Sequence, residues 1–254
     1  MKYSIITVAL DPDNRILRTI SSVFAQNFDG IELILQLARD KNNLVPKIKS
    51  MAENQNKCEV KIFVENDTGI YNAMNRALTK ATGDIIGFLN ADDYYSSADV
   101  LRQVLQQFHK HDASVVMTAI KFFKREDQYN FGRSFYPKKG KFTNAWHVPH
   151  PGFFFKMKSF RPSDLVYIEN MRIAADVVWM LNLNSKNLKC VGCPDITSVK
   201  MEYGGISNRS FFNILSANLE LYNALNKVFG SKFALLYIAE KLSYKILQKM
   251  KFYS

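Results

Sequence analysis

The sequence predicts an α/β fold in which a mostly parallel sheet is flanked by helices. Between residues 3 and 120, short apolar runs alternate with segments whose apolar residues recur at helical spacing. Alternation of this kind requires right-handed crossovers between parallel strands. The runs are apolar at successive positions, which is typical of strands buried on both faces. With 254 residues, 47% of them apolar, the chain can bury a large core.

Each element is assigned from its own pattern of apolar residues and breakers. Helices are predicted at residues 16–24, 44–54, 70–80, 98–109 and 174–183, with Ser97 as the N-cap of the fourth. Strands are predicted at residues 3–9, 31–36, 59–64, 85–89, 114–120, 153–156 and 188–191. The order of elements changes after residue 120, so we expect a sheet-and-helix half at 1–120 and a small antiparallel subregion within 121–207.

Aromatic and basic residues interleave within 122–125 and 135–141. This pattern is compatible with stacking of single-stranded nucleic acid or with a hairpin whose lysines are solvated. The charges fall in predicted turns, which favours the hairpin.

Two amphipathic helical runs, separated by Gly230, are predicted within residues 208–254. The second run carries Lys232, Lys241, Lys245, Lys249 and Lys251 against one acid, Glu240. Such a helix can lie on an anionic membrane surface, or it can pack on the domain or on a second copy of the chain. Both alternatives require the same apolar stripe.

The formal charge of +11 predicts an anionic partner, which could be nucleic acid, a phosphorylated substrate or an acidic membrane. The first apolar stretch ends at Asp11-Pro12, too early for a membrane-spanning helix, and no cleavage site follows it. Three cysteines without an export signal indicate a cytoplasmic protein with free thiols. Cys190 and Cys193 have the spacing of a metal knuckle, but a second pair to complete four ligands is missing.

An acidic pair follows one buried strand directly. Asp92 and Asp93 come after the apolar run 85–89, and open α/β sheets bind ligands at the carboxyl ends of their strands. Adjacent carboxylates suit a hard divalent cation that shares phosphate oxygens with a nucleotide. The alternative is a solvated Asp-Asp turn.

Two further residues stand out in the second half of the chain. Asp176 lies within an otherwise apolar helical pattern, where an unpaired buried acid would be expensive; it could instead be a helix-surface acid or an N-cap. His150 precedes Pro151 in a segment rich in breakers, and is either a site residue or an ordinary loop residue.

Five blocks, in this order along the chain, resemble family 2 glycosyltransferases of the GT-A fold, especially bacterial polysaccharide-assembly members of the colanic-acid type. The blocks are residues 4–8 (SIITV), 67–77 with 81–93 (DTGIYNAMNRA and ATGDIIGFLNADD), 150–155 (HPGFFF), 174–176 (AAD) and 204–207 (GGIS).

The resemblance implies a donor-binding half at 1–120 and an acceptor half at 121–207, together a GT-A catalytic domain at 1–207, followed by C-terminal basic amphipathic helices at 208–254. It implies inverting transfer from a nucleotide-sugar, with Mn²⁺ or Mg²⁺, to an acceptor hydroxyl on a glycan or lipid-linked glycan at the inner face of the cell membrane. By position, the resemblance assigns Asp93 and Asp92 to the metal, and Asp92 also to the ribose. The donor would be bound by Ala9, Asp11, Asp67 and Asn75. His150 would lie on the acceptor side, and Asp176 would be the general base.

One departure from the family pattern concerns the nucleobase. Members usually carry an acid after the second strand, at a position that corresponds to Leu37 or a neighbour in this chain, with Asp40 displaced by a few residues. Arg39 and Lys41 could contact phosphate instead, but charges in a loop are more often solvated. A UDP-sugar is therefore only the default donor.

Two other classes of protein remain as alternatives. A sugar nucleotidylyltransferase should carry a Gly-rich basic loop after the first strand, and residues 9–14 contain no glycine. A non-catalytic nucleic-acid-binding protein should have a helix that concentrates Arg and Lys alone, without an apolar stripe, and we find no such helix, so we expect no nucleic-acid partner. A homo-oligomer is compatible with the C-terminal helices.

Overall fold

The predicted alternation of strands and helices is present in the computed structural model, which describes residues 1–123, 133–137, 140–141, 150–172, 174–184, 186, 188–202 and 211–250. The strands are β1 (Tyr3–Ala9), β2 (Ile31–Leu37), β3 (Cys58–Val64), β4 (Ile85–Phe88), β5 (Tyr94–Tyr95), β6 (Val115–Phe123), β7 (Arg133–Phe135), β8 (Gly140–Lys141), β9 (Phe153–Lys156) and β10 (Cys190–Glu202). The helices are α1 (Arg15–Phe24), α2 (Val45–Glu53), α3 (Ile70–Leu78), α4 (Val100–His111), α5 (Ala175–Asn184), α6 (Phe211–Phe229) and α7 (Ser231–Met250). Short 3-10 helices lie at His150–Gly152, Met157–Ser159 and Pro162–Leu165.

The strands form one sheet in the order β3-β2-β1-β4-β9-β6-β10-β5. The first four are parallel to one another, and β6 is parallel to β10. Strand β9 lies antiparallel between β4 and β6, and so joins the two parallel groups. The mostly parallel α/β sheet predicted from the sequence is therefore confirmed. Strand β7 pairs antiparallel with β6, as a hairpin requires, although residues 124–132 between them lie outside the described part.

A hydrophobic cluster lies on each face of the sheet. One contains the buried faces of α1, α2 and α4, which contribute residues such as Ile20, Ile48 and Leu101. The other contains α3 and α5 and also Leu221, Leu225, Ala234 and Tyr237 of the two C-terminal helices. Helices α6 and α7 thus share a core with the rest of the chain.

Gly230 separates α6 from α7, as predicted, with φ at +86°, a backbone conformation that favours glycine. Among the helices in the described residues, none is both long and apolar enough to cross a membrane.

Helix α4 and strand β10 differ from the prediction at their ends. Helix α4 begins at Val100, and its N-cap position is Asp99 rather than Ser97. Strand β10 continues to Glu202 although Pro194 and Asp195 suggest a break, because bulges absorb these residues. Its buried Ser198 is accommodated by a hydrogen bond to Thr118 of β6, with 2.6 Å between the two hydroxyl oxygens.

Candidate active site

The acidic pair lies at the carboxyl edge of the sheet, just beyond the end of β4. Asp93 is only 1% exposed, and its Oδ2 accepts a 2.7 Å hydrogen bond from Nδ2 of Asn90. The pKa of the Asp93 carboxyl is raised well above its ordinary value, mainly by burial and secondly by the negative charge of the neighbouring Asp92. The Asp92 side chain, by contrast, is 40% exposed. One carboxyl of the pair is therefore enclosed and the other is open to solvent.

Two arginines of α1 approach the same acidic turn. Arg15 Nη1 lies 3.5 Å from Oδ2 of Asp92 and 3.6 Å from Oε2 of Glu202. Arg18 donates a 3.0 Å hydrogen bond from Nη2 to the backbone oxygen of Asp92, and its guanidinium lies 4.4 Å from the ring centre of Tyr94. These cations could offset negative charge on a ligand at Asp92.

Arg15, Arg18 and Glu202 were not among the site residues predicted from the sequence. Arg18 lies on the predicted helix 16–24, but Arg15 precedes it; only because α1 begins at Arg15 do the two residues, three positions apart, share a face. Glu202 could not have been found, because its approach depends on β10 extending well beyond its predicted end. A backbone hydrogen bond from Glu202 to the Asp93 carboxyl also ties the end of β10 to the acidic turn.

Asp176 lies in the first turn of α5. Burial raises the pKa of its carboxyl to about 6, while hydrogen bonds act in the opposite direction. The backbone N–H of Val177 donates to Oδ1 over 2.9 Å, and the hydroxyl of Tyr71 approaches the same oxygen at 3.4 Å. A carboxyl with a pKa near neutrality is suited to proton transfer at physiological pH.

His150 belongs to an aromatic group next to Asp176. Its Nε2 is 2.8 Å from the hydroxyl of Tyr167, and the Tyr167 ring stacks on Trp179 at 4.6 Å and on Tyr71 at 5.8 Å. His150 is 7% exposed, and burial lowers its pKa to about 4, so the imidazole is neutral at pH 7. Since Nε2 already has a partner inside the protein, this nitrogen would need to exchange partners to contact a ligand.

The acidic pair and Asp176 are at the same edge of the sheet. Helix α3 follows the carboxyl end of β3, and Tyr71, its second residue, reaches Asp176. At the carboxyl end of the parallel strand β4, the Phe88 ring lies 4.8 Å from His150 and 6.4 Å from Trp179, one turn after Asp176.

Three of the residues predicted to bind the donor lie at this edge: Ala9 ends β1, and Asp11 and Asp67 lie in loops. The backbone oxygen of Ala9 accepts from the N–H of Ala38 at 2.9 Å, and Asp11 Oδ1 accepts from the N–H of Lys41 at 3.1 Å. Asp67 accepts from the N–H of Gly69 at 3.0 Å, just before α3. The loops after β1 and β2 are therefore tied together.

Asn75 is occupied by contacts within the protein. Its Oδ1 accepts from the N–H of Tyr167 at 2.7 Å, and its Nδ2 donates to the backbone oxygen of Tyr167 at 3.0 Å and to Glu169 at 2.8 Å. The amide thus holds the segment that supplies Tyr167 to the aromatic group.

The loop after β2 uses its acid as a helix cap. Asp40 accepts from the N–H groups of Leu44 and Val45 at 2.7 and 3.0 Å, at the start of α2. Leu37, where the family pattern has an acid, is fully buried. Asp40 is therefore already engaged by the backbone and has limited capacity to read a nucleobase.

A cavity of about 350 Å³ opens beside the N-terminus of α3. It is lined by Thr68, Gly69, Ile70, Glu169, Asn170, Met171 and Arg172. These two segments lead directly to Tyr71 and to Asp176. The block at 204–207, which carried part of the resemblance, lies outside the described residues.

A mostly parallel sheet of this topology, with an acidic pair beyond the carboxyl end of β4, agrees with the glycosyltransferase class that the sequence predicted. The sequence model of the family described as "Glycosyl transferase family 2" matches residues 4–172, more than half of the chain. The chain therefore belongs to glycosyl transferase family 2, and the resemblance seen in the sequence is confirmed. Membership favours a glycosyltransferase over both the nucleotidylyltransferase and the nucleic-acid-binding alternatives.

Relatives and solved structures agree with this assignment. The chain is 26% identical over 217 residues to a "PGL/p-HBAD biosynthesis glycosyltransferase" of Mycobacterium bovis (strain BCG / Pasteur 1173P2), covering 81% of this chain and 79% of the relative. Its fold is similar to that of S. aureus TarS 1-349 in complex with UDP-GlcNAc, with a TM-score of 0.73 and 16% identity over 95% of this chain and 72% of TarS. It is also similar to the mannosyltransferase PcManGT from Pyrobaculum calidifontis in complex with GDP-Man and Mn²⁺, with a TM-score of 0.65 and 14% identity over 97% and 75% of the two chains. At these identities the structures support the GT-A fold alone.

Proposed function

We propose that this glycosyltransferase is inverting and metal-dependent, and moves a sugar from a nucleoside diphosphate to an acceptor hydroxyl with Asp176 as general base. The observation that carries the proposal is that the acidic pair 92–93 and the buried carboxyl of Asp176 lie at the same edge of the sheet. The acidic pair 92–93 suits the donor diphosphate, and Asp176, with a pKa of about 6, suits an acceptor proton.

The residues at the acidic pair fit a divalent ion. Asp93 is a buried carboxyl whose ionised form is disfavoured without a compensating cation, and Asp92 offers an open carboxylate beside it. Among the described residues, no group of three or more His, Cys, Asp or Glu side chains could hold a metal ion by itself. Mg²⁺ and Mn²⁺ sites of this kind use one or two carboxylates and complete their shell with phosphate oxygens and water. When bound, the ion would stabilise negative charge developing on the departing diphosphate.

The remaining steps belong to side chains of this chain. The acceptor oxygen attacks the anomeric carbon from the side opposite the diphosphate, while the bond from that carbon to the phosphate oxygen breaks and its electron pair leaves with the nucleotide. The acceptor proton passes to Asp176. One displacement of this type inverts the anomeric configuration, and a second, covalent carboxylate is not required.

The donor is proposed to lie along the loops after β1 and β3, with Ala9, Asp11 and Asp67 beside the nucleoside and Asp92 beside the ribose. A UDP-sugar remains the default donor, supported by the similarity to TarS, although the buried Leu37 and the capping role of Asp40 remove the usual acid for uridine. The cavity beside α3 is proposed to receive the acceptor, with His150 shaping it through Tyr167.

The acceptor is proposed to be a glycan or lipid-linked glycan in surface polysaccharide synthesis, which would bring the enzyme to the inner face of the cell membrane. The relative concerned with PGL/p-HBAD biosynthesis supports a lipid-linked acceptor by analogy. The exposed apolar residues of α7 support contact with a membrane.

A donor panel tests the metal and nucleotide assignments. UDP- and GDP-sugars are added with Mn²⁺ while thermal unfolding is followed, because a ligand that binds the native state raises its Tm. We expect a rise with one nucleotide class, and loss of the rise in Asp93→Asn and Asp92→Asn. The exposed acid Asp195 provides the control, since Asp195→Asn should keep the wild-type response.

Asp176→Asn tests the base. With a donor identified by the panel, transfer should fall by about 10²- to 10⁴-fold while the donor-dependent rise in Tm is retained. Product anomers determined by NMR should show inversion. Retention of configuration, or full turnover by Asp176→Asn, would contradict the proposed mechanism.

A further inference from the structure

The inward face of α7 points toward the start of α5. Tyr237 and Lys241 are one helical turn apart and are 4% and 6% exposed, although neighbouring residues of the helix are open to solvent. Tyr237 belongs to the same hydrophobic cluster as Ala175 and Trp179, which flank Asp176 in α5. A C-terminal helix therefore brings a buried lysine into the surroundings of the proposed base.

Helix α6 holds both partners of this arrangement. Asn218 Oδ1 accepts a 2.8 Å hydrogen bond from the ammonium of Lys241. Two residues further along, Glu220 Oε1 accepts from the backbone N–H groups of Arg172 and Ala174 at 2.9 and 3.2 Å. The same turn of α6 thus fixes the lysine and the segment that leads into Asp176.

Electrostatics couples the two groups. A buried ammonium is costly unless a negative charge is close to it, and the attraction of Lys241 favours the ionised carboxylate of Asp176. Burial remains the larger influence and raises the pKa of Asp176, while the attraction of Lys241 lowers it. The lysine and the carboxyl therefore stabilise each other in their charged forms.

We propose that Lys241 is a positioning residue for the reaction, whose positive charge favours the ionised form of Asp176. The inference rests on the proposed function, since it assigns a role to Lys241 only if Asp176 is the base. It also makes α6 and α7 part of the catalytic unit, rather than an appendage beyond residue 207.

Besides Lys241, several titratable or hydrogen-bonding groups surround Asp176. Tyr71 of α3 and the Val177 N–H of α5 contact the carboxyl directly. Tyr167, from the segment before α5, and Tyr237 of α7 are buried phenols whose pKa values are raised, so both are neutral at working pH. Glu220 of α6 and Glu240 of α7 are the acids on the packed helices, close enough to influence Tyr71 and Tyr237 respectively. Among the groups that shift the pKa of Asp176, Lys241 is a cation and favours the ionised carboxylate.

The test is the pH profile of kcat/KM for Lys241→Met, measured with a donor from the panel. Removal of the positive charge should move the acidic limb of the profile upward by about one pH unit, with turnover well above that limb within about threefold of wild type. Lys241→Arg should restore the limb because it retains the charge. The control is Lys232→Met, an exposed lysine at the start of the same helix, which should leave the profile unchanged.

A second variant covers the case in which Lys241→Met does not fold. Asn218→Asp keeps the shape of the contact and places a carboxylate on the lysine, so it should move the limb in the same direction by a smaller amount. A uniform loss of rate at every pH, with the limb unmoved in the variant that folds, would overturn the inference and leave a purely structural role. If Asp176→Asn itself retains turnover, the base assignment fails instead, so the two failures are distinguishable.

Discussion

At the scale of single residues, the two buried carboxyls of the site, Asp93 and Asp176, differ in their neighbours. Asp93 and Asp176 have raised pKa values because of burial, but Asp93 adjoins a second acid, whereas Asp176 adjoins a hydroxyl and a backbone N–H and is also influenced by the charge of Lys241. The first setting calls for a cation, and the second supports a carboxylate that can accept a proton. The sequence places both acids near apolar runs, but burial and neighbours decide their chemistry.

Asp176→Asn should stabilise the protein at neutral pH. The pKa of this carboxyl rises from its ordinary value of 3.8 to about 6 on folding, so the folded state binds its proton more tightly than the unfolded state does. Stability therefore falls as pH increases from about 4 to about 6 and stays lowered above that window. An asparagine has no charge to bury, so we expect its Tm to exceed that of wild type by a few °C at pH 7.5, and by less at pH 4.

Thermal unfolding at the two pH values provides the measurement, with Asp195→Asn as a control for loss of an exposed charge. A Tm difference for Asp176→Asn that does not depend on pH would show that burial does not raise the pKa of this carboxyl.

At the scale of elements, close packing of β4 depends on two glycines. A Cβ added at Gly83 would lie 2.5 Å from the backbone nitrogen of Ser4 in β1. At Gly87 it would lie 2.8 Å from Cε1 of the Phe154 ring in β9. A ring can move more readily than the backbone of a central strand, so the two substitutions should differ in cost.

Gly87→Ala is expected to lower the free energy of unfolding by about 1–3 kcal/mol, and Gly83→Ala by more. Urea denaturation measures both values. In a Phe154→Leu background the cost of Gly87→Ala should shrink, because a smaller side chain can accommodate the methyl group. Equal costs for the two glycine variants, or an undiminished cost in that background, would contradict this account of the packing.

Elements whose signal is local were predictable from sequence. The run from Ile31 to Gln36 is continuously apolar except at Glu32 and Gln36, and the structure places a fully buried strand there. Buried Glu32 is satisfied by long-range partners, among them Ser4, Lys61 and Thr82. Such partners come from other elements, and a pattern read along one segment does not reveal them.

The site was predictable only in part, for the same reason. The acidic pair and Asp176 stand out against apolar surroundings, and the assigned roles stay predictions. The capping role of Asp40 and the hydrogen bonds of Asn75 to the Tyr167 segment depend on how loops fold back on one another. Lys241 looked like one of several lysines on a basic helix, and only the packing of α7 distinguishes it from Lys232.

At the scale of the whole molecule, the two faces of α7 have different environments. Its inward residues Ala234 and Tyr237 are buried in the core, whereas Leu235, Leu236 and Leu242 are 60%, 63% and 45% exposed. Residues 231–254 carry five lysines against one glutamate. Exposed leucines on a basic helix are suited to an anionic lipid surface. Truncation of α6 and α7 would also remove part of the core, so substitutions on the outer face make the sharper test.

The double variant Leu235→Gln with Leu236→Gln should bind vesicles containing phosphatidylserine at least about tenfold more weakly than wild type, because each leucine loses its apolar contact with lipid. Sedimentation with vesicles measures binding, and Val166→Gln, which changes an exposed apolar residue outside α7, serves as the matched control. Raising the salt concentration should weaken wild-type binding, since screening shortens the reach of the lysines. The wild-type protein could instead fail to bind anionic vesicles and sediment as a dimer in analytical ultracentrifugation, while the double variant sediments as a monomer. In that case the outer face of α7 is a contact between two copies of the chain. That result would replace the membrane with a second subunit as the occupant of this face.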